Sequence, residues 1–106
     1  MKDILKEIGL PFAYHHFAEG KSPKPPFLIY YYPRSENFSA DGLAYYKIQV
    51  IHLELYTDNK NFIEEERIET VLDRHGIFYD KLETYIESEK LYEVLYIFKG
   101  EEKYGK

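Results

Sequence analysis

A chain of 106 residues fits a single domain, and the absence of cysteine excludes a disulfide framework and any thiolate metal site. With 19 acidic and 14 basic residues the net charge is −5, which disfavours nucleic acid as the main ligand because phosphate-binding domains usually carry a basic patch. No apolar run approaches the roughly 20 residues that span a bilayer, and the mixed charge of residues 1–9 is not typical of a secretory signal.

The first third of the chain predicts one short helix followed by strands. Residues 2–9 have apolar side chains at helical spacing, and Gly9 is a suitable helix stop. Residues 12–17 predict a short strand. Residues 21–26 contain three prolines, which exclude a helix or a central strand. Residues 27–32 (FLIYYY) form a continuous apolar run that predicts a further strand.

The next segment predicts a hairpin. Pro33 is expected to end the preceding strand, and residues 34–44 are polar with an Asp-Gly turn signal at 41–42. Residues 45–57 predict the opposing strand. The apolar phase of this strand switches faces at 50–51, and a β-bulge there would explain the switch.

Residues 61–75 give the clearest helix prediction. Asn61 is a suitable N-cap, with Glu64 at the third helical position to complete a capping box. His75 belongs to the apolar stripe of this helix by spacing. The predicted core positions are Leu53, Leu55, Ile68, Val71 and Leu72.

Residues 77–86 and 91–98 predict two more strands, and the charged residues 100–106 are expected to be a disordered tail. Together the elements predict one α+β domain over residues 1–106. We expect a mainly antiparallel sheet of about five strands. The main helix, at about 61–75, and the short N-terminal helix are expected to pack on one face of it.

Aromatic residues are unusually frequent, since 12 Tyr and 7 Phe make up 18% of the chain. Tyr joins an apolar ring to a polar tip and is enriched in contact surfaces, although strands are rich in Tyr for packing alone. Both interpretations stay open for any single Tyr. The candidate protein–protein interface residues are Phe27, Tyr30, Tyr31, Tyr32, Tyr45 and Tyr46.

No motif predicts catalysis, a metal site or a cofactor site. His15 and His16 are neighbours on a predicted strand, so they are expected to point to opposite faces rather than share one ion. Residues 64–66 are all Glu, and the positive end of a helix dipole explains them. The protein is therefore not expected to be an enzyme. A small metal-dependent enzyme or regulator is a weaker alternative, and it would use His15, His16, His52 or His75.

Several stretches resemble short proteins encoded among the tail genes of prophages of Gram-positive bacteria. The stretches are DILKEIGLPFAYHHFAEG, PPFLIYYYP, NFSADG, HLELYTD, VLDRHGIFYDK and IESEKLYEVLYIF, and together they cover roughly residues 3–98. The resemblance is one of overall pattern and carries no catalytic signature. It implies a tail terminator or a closely related head–tail joining protein with a small α+β fold.

A tail terminator assembles as a ring, commonly a hexamer, on the end of the finished tail tube. The resemblance thus implies three partners, namely other copies of the chain, the major tail tube protein and the head connector or neck proteins. No membrane and no specific nucleic acid are expected as partners, although DNA would pass through the ring. The expected location is the host cytoplasm during assembly and then the head–tail junction of the virion. A head-completion or neck role, or a minor capsid or tail role, stays open as an alternative.

Overall fold

The computed structural model describes residues 1–36, 38–40 and 43–103, with side chains described for 1–36 and 48–100. In chain order the elements are α1 (Lys2–Ile8), β1 (Phe12–Tyr14), β2 (Phe27–Ser35), β3 (Phe38–Ala40), β4 (Leu43–Thr57), α2 (Phe62–Arg74), β5 (Tyr79–Ile86) and β6 (Leu91–Lys103).

The strands form one mixed sheet in the order β1-β2-β4-β6-β5, and β3 also pairs with β4. β1 and β2 are parallel, and the other strand pairs are antiparallel. β3 was not predicted from the sequence. The predicted α+β fold, with a mainly antiparallel sheet and two helices, is confirmed.

Both helices pack on the same face of the sheet. Ile51, Leu53 and Leu55 are buried on β4 because alternate side chains of a strand point to the same side. They meet the buried residues Leu5 and Ile8 of α1 and the apolar stripe of α2 in one core cluster. All five predicted core residues, which are Leu53, Leu55, Ile68, Val71 and Leu72, are buried.

The helix ends follow the sequence signals, with one exception. Oδ1 of Asn61 accepts a hydrogen bond of 3.1 Å from the amide of Glu64, so the predicted N-cap is confirmed. Gly9 ends α1 in the left-handed conformation, with φ of 84°. His75 lies just beyond the end of α2 and is exposed rather than part of the apolar stripe. Its Nε2 lies 2.9 Å from Oε2 of Glu7 on α1.

The β-bulge predicted at residues 50–51 of β4 lies instead on the neighbouring strand β2. Pro33 was expected to end this strand, and this was wrong, because β2 continues to Ser35. The register of β2 with β4 shifts between Tyr31 and Arg34. β2 therefore has two residues where β4 has one, while the β4–β6 pairing runs without a shift past Val50. Proline has no amide hydrogen for the ladder, which explains why the extra residue lies beside Pro33.

Two further predictions concern the loops and the C-terminus. The Asp-Gly turn signal at 41–42 lies outside the described residues. Residues 100–103, predicted to be disordered, instead continue β6 and pair with the first half of β4. Residues 104–106 lie outside the described residues.

The molecule is elongated for its length. Its radius of gyration is 15.4 Å, whereas a compact domain of this size has about 13 Å. The longest dimension is 50 Å, which a strand as long as β4 spans at about 3.3 Å per residue. The core cluster reaches only as far as the pair Ile51 and Phe98. Residues 43–49 of β4, 100–103 of β6 and β3 continue past it, and we call them the strand extension.

Candidate protein-interaction surface

The second face of the sheet carries no helix in the described part of the chain, and we call it the open face. Its side chains alternate with the core residues along each strand. Three adjacent rows across β2, β4, β6 and β5 define it: Phe27, Tyr56, Glu93 and Thr84; Ile29, Glu54, Leu95 and Leu82; and Tyr31, His52, Ile97 and Asp80.

A group of hydrogen-bonded side chains occupies the middle of the open face, and we call it the central polar cluster. The hydroxyl of Tyr31 donates to Oε2 of Glu54 at 3.3 Å, and Nδ1 of His52 lies 3.3 Å from the same hydroxyl. The hydroxyl of Tyr56 donates to Oε1 of Glu54 at 2.8 Å and lies 3.3 Å from Oε2 of Glu93. Tyr56 therefore bridges two carboxylates from adjacent strands, while Tyr31 joins Glu54 to His52.

The electrostatics of this cluster follow from partial burial. Burial, together with the hydrogen bond and charge of Glu54, raises the pKa of Glu93 to about 7. Burial also raises the pKa of Tyr31 and Tyr56, and burial with the charge of Arg34 lowers the pKa of His52. Glu93 therefore gains or loses its proton in the neutral pH range.

No cation neutralises these two carboxylates within the part of the chain whose side chains are described. The ion pairs there involve other acidic residues. Partly buried, unpaired carboxylates favour a proton or a basic group brought by another molecule. Around them lie the buried Ile29 and the partly exposed Leu95 and Ile97. Tyrosine and apolar side chains are enriched in the centres of protein contacts and charged side chains are depleted there, so a partner on this face would have to bring a basic group to the two carboxylates.

Two hollows lie at the ends of the open face. One, of ≈ 590 Å³, is lined by Arg34, Val50, Phe78, Asp80, Ile97 and Lys99, among others. The other, of ≈ 290 Å³, lies between the loop after β1 and the β5–β6 turn, and its lining includes His16, Phe17, Phe27, Tyr56, Glu89 and Leu91. A partner on the open face could place side chains in both hollows.

The predicted interface residues fall into three environments. Phe27 and Tyr31 lie on the open face, and the ring of Phe27 stacks on Tyr56 with centroids 5.2 Å apart. Tyr30 is only 6% exposed and belongs to the core, and Tyr32 packs against the core. Residues 45–46 lie in β4, and their side chains, those of Tyr45 and Tyr46, lie outside the described residues.

The four histidines do not come together. His15 and His16 were expected to point apart, and this was wrong, because β1 ends at Tyr14 and His15 has φ of 69°. Their Nδ1 atoms lie 3.2 Å apart. His52 lies on the open face and His75 beyond α2. Among the described residues, no group of three or more His, Cys, Asp or Glu side chains could hold a metal ion.

A buried ion-pair cluster beside α2 was not predicted from the sequence. Glu65 is 3% exposed, and its carboxylate lies 2.5 Å from Nζ of Lys60 and 2.8 Å from Nζ of Lys81. Burial alone raises the pKa of Glu65, but the two lysines outweigh it, so the pKa is lowered. Lys81 also pairs with Glu69 at 2.6 Å. In the sequence Glu65 looks like its neighbours, and only the sheet brings Lys81 to it.

The fold and this surface define the class of the protein at a coarse level. It is a small α+β domain whose sheet is covered by helices on one face. No helix in the described part of the chain is long and apolar enough to cross a bilayer. No protein-family model matches the chain, and no curated protein matches it.

Proposed function

We propose that this protein is a structural subunit of a long-tailed phage that forms a ring on the end of the tail tube and joins the tail to the head. The observation that carries the proposal is a sheet that, in the described part of the chain, has helices on one face only and continues past its core. Exposed apolar surface marks interaction sites in proteins. The stretches within residues 3–98 that resemble tail-gene proteins supply the biological setting.

A ring subunit needs several separate contact surfaces. Head-to-tail contacts join two different patches of the same chain, and each end of the ring meets a different partner. The molecule offers the open face, the exposed edge formed by β5 and the strand extension, which lie in different places on a body 50 Å long.

The acidic charge suits a passage for DNA. A net charge of −5 repels phosphates, so DNA would move through the ring without being held. A ring structure whose lumen is lined mainly by Lys and Arg would contradict this part of the proposal.

A stop codon in this gene of an inducible prophage tests the proposal. We expect the induced lysate to contain DNA-filled heads beside detached tails, some of them overlong, in negative-stain electron microscopy. Supplying the native gene from a plasmid should restore joined particles of normal tail length. Intact infectious particles without the protein would overturn every structural role.

A head-completion or neck role is the alternative, and the same micrographs distinguish it. Tails of normal length beside heads that leak DNA or lack necks would assign the protein to the head side of the junction. Overlong tails would exclude that alternative, because tail length is set before the head joins.

A further inference from the structure

The last strand of the sheet, β5, has an outer edge that pairs with no other strand in the described part of the chain. Such edges are templates for pairing with another chain, and proteins commonly protect them with prolines, bulges or very short strands. β5 has none of these three devices, since its eight residues pair with β6 without a register shift. It does carry the charged residues Asp80, Lys81 and Glu83, which discourage edge pairing unless the partner strand supplies the opposite charge. Leu82 at its centre is 56% exposed, and Phe78 just before it is 87% exposed.

The residue order of β5 is complementary to itself when two copies run antiparallel. We propose that β5 pairs with β5 of a second copy about a two-fold axis at Leu82, joining both sheets into one. Each residue then faces the partner residue that lies equally far from Leu82 on its other side, and Leu82 faces Leu82 of the partner subunit. The other facing pairs are Lys81 with Glu83 of the partner subunit, Phe78 with Ile86 of the partner subunit, and Tyr79 with Tyr85 of the partner subunit.

Charge selects this register over its neighbours. Moving the axis by one residue would place Lys81 opposite Lys81 of the partner subunit, or Glu83 opposite Glu83 of the partner subunit, and like charges across a strand pair are destabilising. Moving the axis by half a residue would pair Leu82 with a charged residue. It would also place the helices of the two copies on opposite faces of the joined sheet. The axis at Leu82 alone pairs opposite charges and apolar side chains together.

The fold already positions the charged members of this edge. Nζ of Lys81 lies 2.8 Å from Glu65 and 2.6 Å from Glu69, and Glu83 contacts Lys60. These contacts hold the charged side chains on the helix side of the sheet. Leu82 lies on the open face beside Leu95, so pairing would extend the apolar surface of the open face across both copies.

The inference does not rest on the phage role. A ring whose two ends meet different partners needs head-to-tail contacts, so the two-fold dimer is a form of the free chain that separates before such a ring closes.

Single cysteines test the pairing because the native chain has none. We expect Leu82→Cys to form an intermolecular disulfide under mild oxidation, since the two thiols would face each other across the axis. Thr84→Cys is the matched control on the same strand, because its two copies would lie about 14 Å apart along the strands. Non-reducing electrophoresis should show roughly tenfold more cross-linked dimer for Leu82→Cys, given the distance limit of a disulfide.

A mixture of Asp80→Cys and Thr84→Cys chains supplies an independent positive control, because these two positions face each other in the proposed register. Equal cross-linking of Leu82→Cys and Thr84→Cys, or none in either, would overturn the pairing. So would sedimentation showing a monomer at all concentrations up to those of the cross-linking. A ring mass without the Leu82→Cys cross-link would overturn the pairing and leave the proposed function intact. Intact phage from the stop-codon prophage would contradict the proposed function and leave the pairing intact.

Discussion

The hydroxyl of Tyr56 donates a hydrogen bond of 2.8 Å to the carboxylate of Glu54, two residues earlier on the same strand. The same hydroxyl lies at a longer 3.3 Å from Glu93 on the neighbouring strand. A phenol has one proton to donate, so Glu54 receives the stronger bond and Glu93 is left to hold a proton of its own. This inequality agrees with the raised pKa of Glu93.

The stability of the fold should depend on pH through Glu93. Its pKa is about 7 in the fold against an ordinary 4.5, so the folded chain binds this proton more tightly than the unfolded chain. The contribution is therefore complete below pH 4.5 and is lost as the pH rises through about 7. We expect Glu93→Gln to be more stable than the native protein at pH 8, with little difference near pH 4.

Urea unfolding at both pH values measures this effect. Glu19→Gln, at an exposed loop position, is the matched control and should change stability at neither pH. A stability difference of equal size at pH 4 and pH 8 would contradict a role for the charge of Glu93.

Leu72 should be among the most sensitive positions of the core. It is fully buried between α2 and the sheet, so Leu72→Ala should lower the free energy of unfolding by about 2–5 kcal/mol. Leu82→Ala removes the same atoms from an exposed position and should stay within about 0.5 kcal/mol in the monomer. Chemical denaturation at low protein concentration provides both values, and similar losses at the two positions would argue against this packing.

Asn61 should stabilise the start of α2. Its side chain satisfies the amide of Glu64, and we expect Asn61→Ala to cost about 1 kcal/mol of unfolding free energy. Asn59→Ala changes an exposed asparagine two residues earlier that makes no cap, so its effect should be much smaller. Thermal unfolding followed by circular dichroism compares the two, and equal effects would mean that the cap contributes nothing.

Glu65 should matter more than any other glutamate of α2. Its buried carboxylate binds Lys60 and Lys81 and thereby ties the start of the helix to β5. Glu65→Gln leaves both ammonium groups without their buried partner, and we expect a loss of about 1–3 kcal/mol. Glu66→Gln, at an exposed neighbouring position, is the control. Denaturant unfolding that shows no difference between the two variants would contradict this role.

Local patterns in the sequence predicted the elements whose signals lie close together in the chain. The N-cap at Asn61, the left-handed Gly9 and the alternation of Ile51, Leu53 and Leu55 each need only a few neighbouring residues. Burial of Tyr30 was not predictable, because every residue of the FLIYYY run is apolar or aromatic and either face could have been the core.

Features that depend on residues far apart in the chain could not be predicted from the sequence. The bulge lies on β2 rather than β4, and only pairing between the strands decides which one carries the extra residue. His15 and His16 approach each other because β1 ends early. The central polar cluster joins Tyr31, Glu54 and Glu93 from three strands, and strand order has no local signal.

Substitutions at Tyr31 and Tyr30 test separately whether the FLIYYY strand is needed for assembly and for folding. It lies partly exposed on the open face, whereas Tyr30 beside it is buried in the core. We expect Tyr31→Asp to fold and yet fail to join tails to heads, because it places a charge next to Glu54 on the surface proposed to meet a partner. Tyr30→Asp should fail to fold, since a buried unpaired charge is strongly destabilising.

Complementation of the stop-codon prophage measures the assembly role, and circular dichroism of the purified chains measures folding. Thr70→Asp adds the same charge at an exposed position of α2 away from the open face and should complement normally. If Tyr31→Asp folds and complements as well as Thr70→Asp, the open face is not the contact surface. If Tyr31→Asp fails to fold, the same comparison with His52→Asp, at a partly exposed position of the open face away from the β5 edge, decides the point.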